Sequence, residues 1–208
     1  MIRQLRLPAL ALAVLLASGC AVIQPVVPAA AAPDAASAYI AGAFTRVSSG
    51  GFAFIARNAD TGEEYALPLG ADTPFPTDVE NQVVAIKVPP GRYAITQWIT
   101  YATLTKERIT KSNITNAVLS EPFTVAPGSV TYLGNYSVTT TRAGTSMHFR
   151  ISPKVVTSAD ARTGFLKAYP GFQSQSFACK LCVDTVLARV PRPAAAASSP
   201  APAPSAVK

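Results

Sequence analysis

The chain has one histidine, one tryptophan, two methionines and only eleven acidic residues among 208. A single His leaves too few ligands for a zinc centre of ordinary type, which needs three or four protein donors. No Ser-His-Asp constellation can be assembled around His148 with defensible geometry, and an enzyme is not expected. Asp60, Glu63 and Glu64 cluster in a turn; a solvated hairpin tip explains them better than a glycosidase pair or a calcium loop, which needs six to eight oxygens. The formal charge is +7, but Lys and Arg are scattered singly, so the basic stripe of a nucleic-acid-binding surface is missing. No apolar run approaches the roughly 20 residues that a membrane-spanning helix needs. Neither a metal nor a cofactor is expected.

What is present begins at the N-terminus. Arg3 and Arg6 precede an apolar run from Leu7 to Ala17 broken only by Pro8, the charge-then-hydrophobic layout of a secretory signal. Small residues Ala17, Ser18 and Gly19 follow, and then Cys20. Leu15-Leu16-Ala17-Ser18-Gly19-Cys20 resembles a bacterial lipobox, with Ala17 where leucine is more usual. The resemblance implies removal of residues 1–19, a diacylglycerol thioether on the Cys20 sulfur and acylation of the new amine. The covalent lipid would be the only non-protein group. Two or more acyl chains give a stable anchor where one is marginal. Ala21, rather than Asp, implies by the same resemblance an outer-membrane location in the bacterial envelope. Losing Arg3 and Arg6 leaves a charge of about +5, suited to an acidic envelope surface.

Residues 20–37, the lipidated Cys and a Pro/Ala-rich stretch, read as a tether. In polyproline geometry it would reach roughly 50 Å from the bilayer. Residues 188–208 are a second Ala/Pro-rich segment, expected to be disordered.

Between these ends the pattern has period two. Phe52 and Phe54 oppose Ala53, Ile55 and Arg57; Val84, Ile86 and Val88 share a face. Over Arg92 to Thr103 the alternation places Tyr93, Ile95, Ile99 and Tyr101 on one face and Ala94, Thr96, Trp98 and Thr100 on the other. Val130, Tyr132, Tyr136 and Val138 form a further face, and Met147, Phe149 and Ile151 another, with His148 opposed on a wet one. Lys106 to Lys111 is charged and reads as a solvated loop or hairpin tip. Pro89-Pro90-Gly91 and Ala126-Pro127-Gly128 are turns. About seven short strands with turns every 8–12 residues predict an all-β fold, a single antiparallel β-sandwich of Ig-like type over 38–156. Thr157 and Asp160 have capping spacing for one short C-terminal helix, Ala159 to Ala168, within a 157–187 segment.

Val88-Pro89-Pro90-Gly91-Arg92-Tyr93-Ala94-Ile95 and Phe123-Thr124-Val125-Ala126-Pro127-Gly128-Ser129-Val130-Thr131-Tyr132-Leu133-Gly134 resemble the paired hairpins of uncharacterised bacterial lipoproteins. Such domains are similar to the prealbumin-like sandwiches of carboxypeptidase regulatory regions. The resemblance implies a fold and transfers no catalytic residues.

Two further features are candidates for function. Cys179-Lys180-Leu181-Cys182 reads as a local disulfide in an oxidising compartment, with a thiol–disulfide redox role and an intermolecular pairing as the alternatives. Val183 follows Cys182 where covalent haem attachment needs His. Trp98, whose neighbours on its face are Ala and Thr, is a candidate contact for a ligand such as a glycan. Together these readings describe a lipid-anchored, non-catalytic interaction or structural module. Its expected partners are the membrane, an envelope protein or a cell-wall glycan, and no nucleic acid; the rivals are an envelope thiol–disulfide protein and a glycan-binding module.

Overall fold

The computed structural model describes residues 22–47, 51–69, 79–102, 105, 108–143 and 146–183. The leader 1–19, Cys20 and the segment 188–208 lie outside the described residues.

Strands dominate, as the alternation predicts. The first sheet has the order β1 (Val22–Ile23), β4 (Glu64–Pro68), β3 (Gly51–Asn58), β6 (Gly91–Tyr101), β7 (Arg108–Asn113), with β8 (Phe123–Val125) also paired to β6. The second has the order β10 (Ser146–Lys154), β9 (Ser129–Ala143), β2 (Ala38–Val47), β5 (Val79–Val88), with β11 (Ser176–Cys179) also paired to β9. Inward residues of both sheets share one apolar cluster, including Ile40, Phe44, Phe52, Phe54, Ile86 and Tyr136. The arrangement is sandwich-like.

The sheets are mixed rather than purely antiparallel. β2 runs parallel to β9, β11 parallel to β9, and β1 parallel to β4. The two Pro-Gly turns explain the first of these. They do not close hairpins: β5 and β6 lie in different sheets, as do β8 and β9, so each turn carries the chain from one sheet to the other. β9 therefore enters the second sheet as the neighbour of β2 rather than of the strand before it. Residues 108–111, expected in a loop, belong to the edge strand β7, where polar side chains suit a sheet margin.

Two bulges reverse the expected facing of side chains. Ile55 pairs with Gln97 but Ala56 with Ile95, so Thr96 is an extra residue in β6. Tyr93 and Ile95 point into the shared cluster, and after the bulge Trp98 does too, whereas Ile99 and Tyr101 turn to the sheet's other face. On β9, Ala41 pairs with Tyr132 and Ala43 with Asn135. The extra residue there accompanies Gly134 at φ +120°, a conformation that side-chain-bearing residues avoid. Val130 and Tyr132 consequently face outward, and Leu133, Tyr136 and Val138 inward.

The outward face of the second sheet is also buried. Tyr39, Ala41, Ala43, Val130 and Tyr132 pack beneath α2 (Ser158–Ala168) and the 3-10 turn Pro170–Phe172. Thr157 caps α2, its Oγ1 accepting from the Asp160 N–H at 3.0 Å, as the spacing predicts. A second helix, α1 (Ala117–Ser120), was not expected; it is a single turn capped by Asn116. No helix among the described residues is long and apolar enough to cross a membrane.

The segment expected as a free tether is instead laid against the body. β1 adds to the edge of the first sheet, Val26 bridges to Ile86 of β5, and the Val27 N–H donates to the Ala85 carbonyl at 2.8 Å. Asp34 accepts from the Ala36 N–H, the Ser37 hydroxyl and Lys87 Nζ, the last at 2.8 Å. Its Pro/Ala composition concealed three apolar anchors, Ile23, Val26 and Val27. Such residues gain more from docking on an open sheet edge than from hydration.

Phe165 is enclosed by Tyr169, Phe172 and Phe177 at ring separations of 5.1–5.7 Å. Phe165→Ala is expected to lower unfolding stability by about 3–5 kcal/mol in urea titration. A Cβ added at neighbouring Gly164 meets nothing within 4 Å, so Gly164→Ala is expected to stabilise by about 0.5–1 kcal/mol in the same assay.

Hydrogen bonding from Lys87, then from Ser37 and Ala36, holds the Asp34 carboxyl well below its ordinary value of 3.8. The unfolded chain therefore takes up that proton first as pH falls, and the stabilisation, complete above the ordinary value, is lost on acidification below it. Lys87→Met should flatten the fall in urea midpoint between about pH 5 and pH 2; an unchanged acid limb would contradict this linkage.

Candidate functional site

Each sheet has a long strand whose one flank is continuous and whose other flank is split. β6 is paired along one side by β3; on the other, β8 lies opposite Gly91–Tyr93 and β7 opposite Gln97–Tyr101. β9 is paired on one side by β2; on the other, β11 lies opposite Ser129–Tyr132 and β10 opposite Asn135–Ala143. The breaks coincide with the two bulges. Residues leaving β7 fill the first break, where the Ile114 N–H donates to the Thr96 carbonyl at 2.9 Å.

Between the breaks opens a cavity of about 210 Å³. Leu119 of α1 and Tyr136 form its buried floor, and Trp98, Ile114, Ile151 and Leu181 its half-buried walls. Asn113, Thr115, Asn116 and Pro153 make an exposed rim. The floor's one polar group is already engaged, since the Tyr136 hydroxyl donates to the Leu133 carbonyl at 2.9 Å. Burial pushes that phenol's pKa up, keeping it neutral. At the rim, Asn113 Oδ1 accepts from Gln97 Nε2 at 3.0 Å and Asn116 Oδ1 from the Leu119 N–H at 3.1 Å. None of the lining residues is ionisable near neutral pH.

Trp98 lines this cavity, but not on a wet face of Ala and Thr. The Thr96 bulge turns it inward, where it stacks flat on Phe52 with ring centroids 5.1 Å apart. The rim's polar members, Asn113, Thr115 and Asn116, were not expected as site residues: Asn113-Ile114-Thr115 fits a glycosylation sequon that a bacterial leader makes coincidental, and the N-cap pattern of Asn116 before Ala117-Val118-Leu119 was the available signal.

Cys179 and Cys182 are joined by a disulfide, Cα–Cα 5.6 Å. The bridge follows strand β11 rather than opening a helix, and both half-cystines pack against the α2 cluster. The loop it closes is tied to β9 and to the end of α1: the Lys180 N–H donates to the Tyr132 carbonyl at 2.8 Å, and Lys180 Nζ to the Glu121 carbonyl at 2.7 Å. Burial lowers the Lys180 pKa. Leu181, in the same loop, reaches the cavity wall.

The remaining candidates are not brought together. His148 is exposed on β10. Asp60 lies 3.6 Å from Arg92, Glu63 accepts from the Tyr65 hydroxyl at 2.7 Å, and Glu64 lies 4.0 Å from Lys111, three separate partnerships. Among the described residues no group of three His, Cys, Asp or Glu could hold a metal ion.

No known family profile matches the chain, and no curated protein matches it. Among solved structures, it is similar to a leucine-rich repeat protein from Bacteroides thetaiotaomicron at 16% identity and a TM-score of 0.32. That match covers 50% of this chain and spans 12% of the other.

Closing a four-residue loop is worth about 2 kcal/mol on chain entropy. The double variant Cys179→Ala/Cys182→Ala should lose that much or less in urea unfolding and keep its far-ultraviolet circular dichroism.

Proposed function

We propose that the chain is a lipid-anchored protein of the bacterial envelope whose strand-rich body, a single sandwich of prealbumin-like type, is a non-catalytic interaction module. The observation that carries the module reading is the cavity at the split strands. It has an apolar depth, a neutral polar rim and walls set on paired strands, the construction of a recognition pocket. Acid–base chemistry would draw on titratable groups at such a place, and this lining offers amide, hydroxyl and hydrocarbon.

The anchor rests on Ala17-Ser18-Gly19-Cys20 after its basic and apolar leader, with Ala21 favouring the outer membrane. The packing of residues 22–37 changes what that anchor would do. Cys20 stands two positions before the start of β1, about 7 Å of extended chain. The body would sit against the bilayer rather than on a long leash.

Growth of producing cells with an alkyne-bearing fatty acid tests the anchor. The protein is expected to carry label that is lost in Cys20→Ala. Unlabelled wild-type protein, or label surviving in Cys20→Ala, overturns it. Crosslinking in intact cells, with recovered partners lost when Ile151→Phe fills the cavity, tests the module.

A further inference from the structure

The shape and chemistry of the cavity name a ligand class. It is small: ligand pockets for drug-sized molecules occupy roughly 300–1,000 Å³, and 210 Å³ admits one ring rather than an extended oligomer. Its depth is mostly hydrocarbon, from Leu119 and the Tyr136 ring, and the one hydroxyl there has its proton committed to the Leu133 carbonyl. One wall is the Trp98 ring, held in place by stacking on Phe52. At the rim, Asn113 and Asn116 each have the side-chain oxygen engaged by one donor of the protein, so the –NH2 is the wholly uncommitted group each offers, beside the Thr115 hydroxyl. The ligand must therefore be uncharged. It must present a flat hydrocarbon face to an indole, accept hydrogen bonds at its outer edge, and carry a small apolar group for the floor.

An aliphatic side chain fits the floor but leaves the two amides without acceptors. A plain hexose supplies the flat face and the hydroxyls but nothing apolar for the depth. An N-acetylated hexosamine meets every condition: the acetamido methyl on Leu119 and Tyr136, the C–H face of the ring on Trp98, hydroxyl oxygens at Asn113 and Asn116. We infer that this cavity binds a single N-acetylhexosamine unit of a neutral glycan. The inference rests on the reading of the domain as an interaction module and names what it holds.

The chain's only tryptophan is Trp98, so its emission reports this site alone. N-acetylglucosamine titrated into the full purified chain is expected to change that emission saturably, with Kd on the order of 1 mM. Saturation transfer should reach its acetyl methyl protons, and glucose should bind at least about tenfold more weakly. Asn113→Ala, an exposed position, should weaken N-acetylglucosamine about tenfold while the thermal midpoint holds. Ile151→Phe should abolish binding by filling the cavity. Three results would overturn the inference: no response to N-acetylglucosamine by either readout, equal binding of glucose, or binding that both variants leave intact. Saturation by N-acetyl-leucinamide without response to the sugar would also overturn it and assign the cavity to a peptide side chain. Fatty-acid labelling is read separately, so loss of the sugar leaves the anchor result standing.

Discussion

Phe44, Phe54 and Tyr136 meet with ring centroids 5.1–6.1 Å apart, and through them one sheet touches the other. Each strand contributes a different ring: Phe44 from β2, Phe54 from β3, Tyr136 from β9. Edge-on and stacked contacts of this kind add about 0.5–1.5 kcal/mol per pair beyond the burial of the rings themselves. The triad also fixes a geometric requirement. Tyr136 reaches the inter-sheet space only because β9 shifts phase at Gly134, and without that shift it would lie on the outer face with Tyr132. The bulge is therefore a condition of the core, and the floor of the cavity is set by the same residue that joins the sheets.

Burial on both faces follows for the second sheet. Ala38, Ile40 and Phe44 serve the inter-sheet cluster, while Tyr39, Ala41 and Ala43 lie under α2. Small alanines on the outer face let Phe165 and Phe172 approach the sheet closely. A strand buried on both sides reads as a near-continuous apolar run rather than an alternation, which is how Ala38-Tyr39-Ile40-Ala41 appears. The first sheet carries a smaller version, with Ala53, Ile55, Ala66, Ile99 and Tyr101 buried on its outward face beside Ile23.

Period-two reading succeeded where a strand keeps one phase. The inward sets Phe52/Phe54 and Val84/Ile86/Val88 were legible from the residues alone, as was the cap at Thr157. It failed at Thr96 and Gly134, because one inserted residue exchanges every later side chain between faces, and neither bulge has a local signature strong enough to announce itself. β7 was hidden for another reason: an edge strand of Arg, Thr, Lys, Ser and Asn around one exposed Ile109 has the composition of a loop. Trp98 was legible as unusual, though on the wrong argument, since its importance comes from being turned inward. Asn116 carried a capping pattern, but its place at the rim, like that of Asn113, depends on the β7–β8 connection crossing the gap in β6's neighbours.

The strand orders place the N-terminal segment and the cavity at opposite margins. β4 ends the first sheet's path on one side and β5 the second's, and these strands contact one another. Residues 22–34 close that margin: β1 covers the edge of β4, Val27 takes the free carbonyl of Ala85, and Asp34 pairs with Lys87, while the Ala85 N–H is taken by the Tyr169 hydroxyl at 3.1 Å. Unpaired sheet edges invite association with other chains, so a segment with little capacity to form structure alone gains its order by capping them. The far margin is built from the paired fragments β7/β8 and β10/β11, and its gap is the cavity. At about 4.8 Å per strand, β6 lies some 14 Å across the sheet from β1. If lipid holds Cys20, two residues before β1, the cavity lies toward the margin opposite the anchored one. In the arrangement proposed, a protein held close to a bilayer would keep this cavity clear of the membrane, which a short connection at the cavity's own margin would prevent.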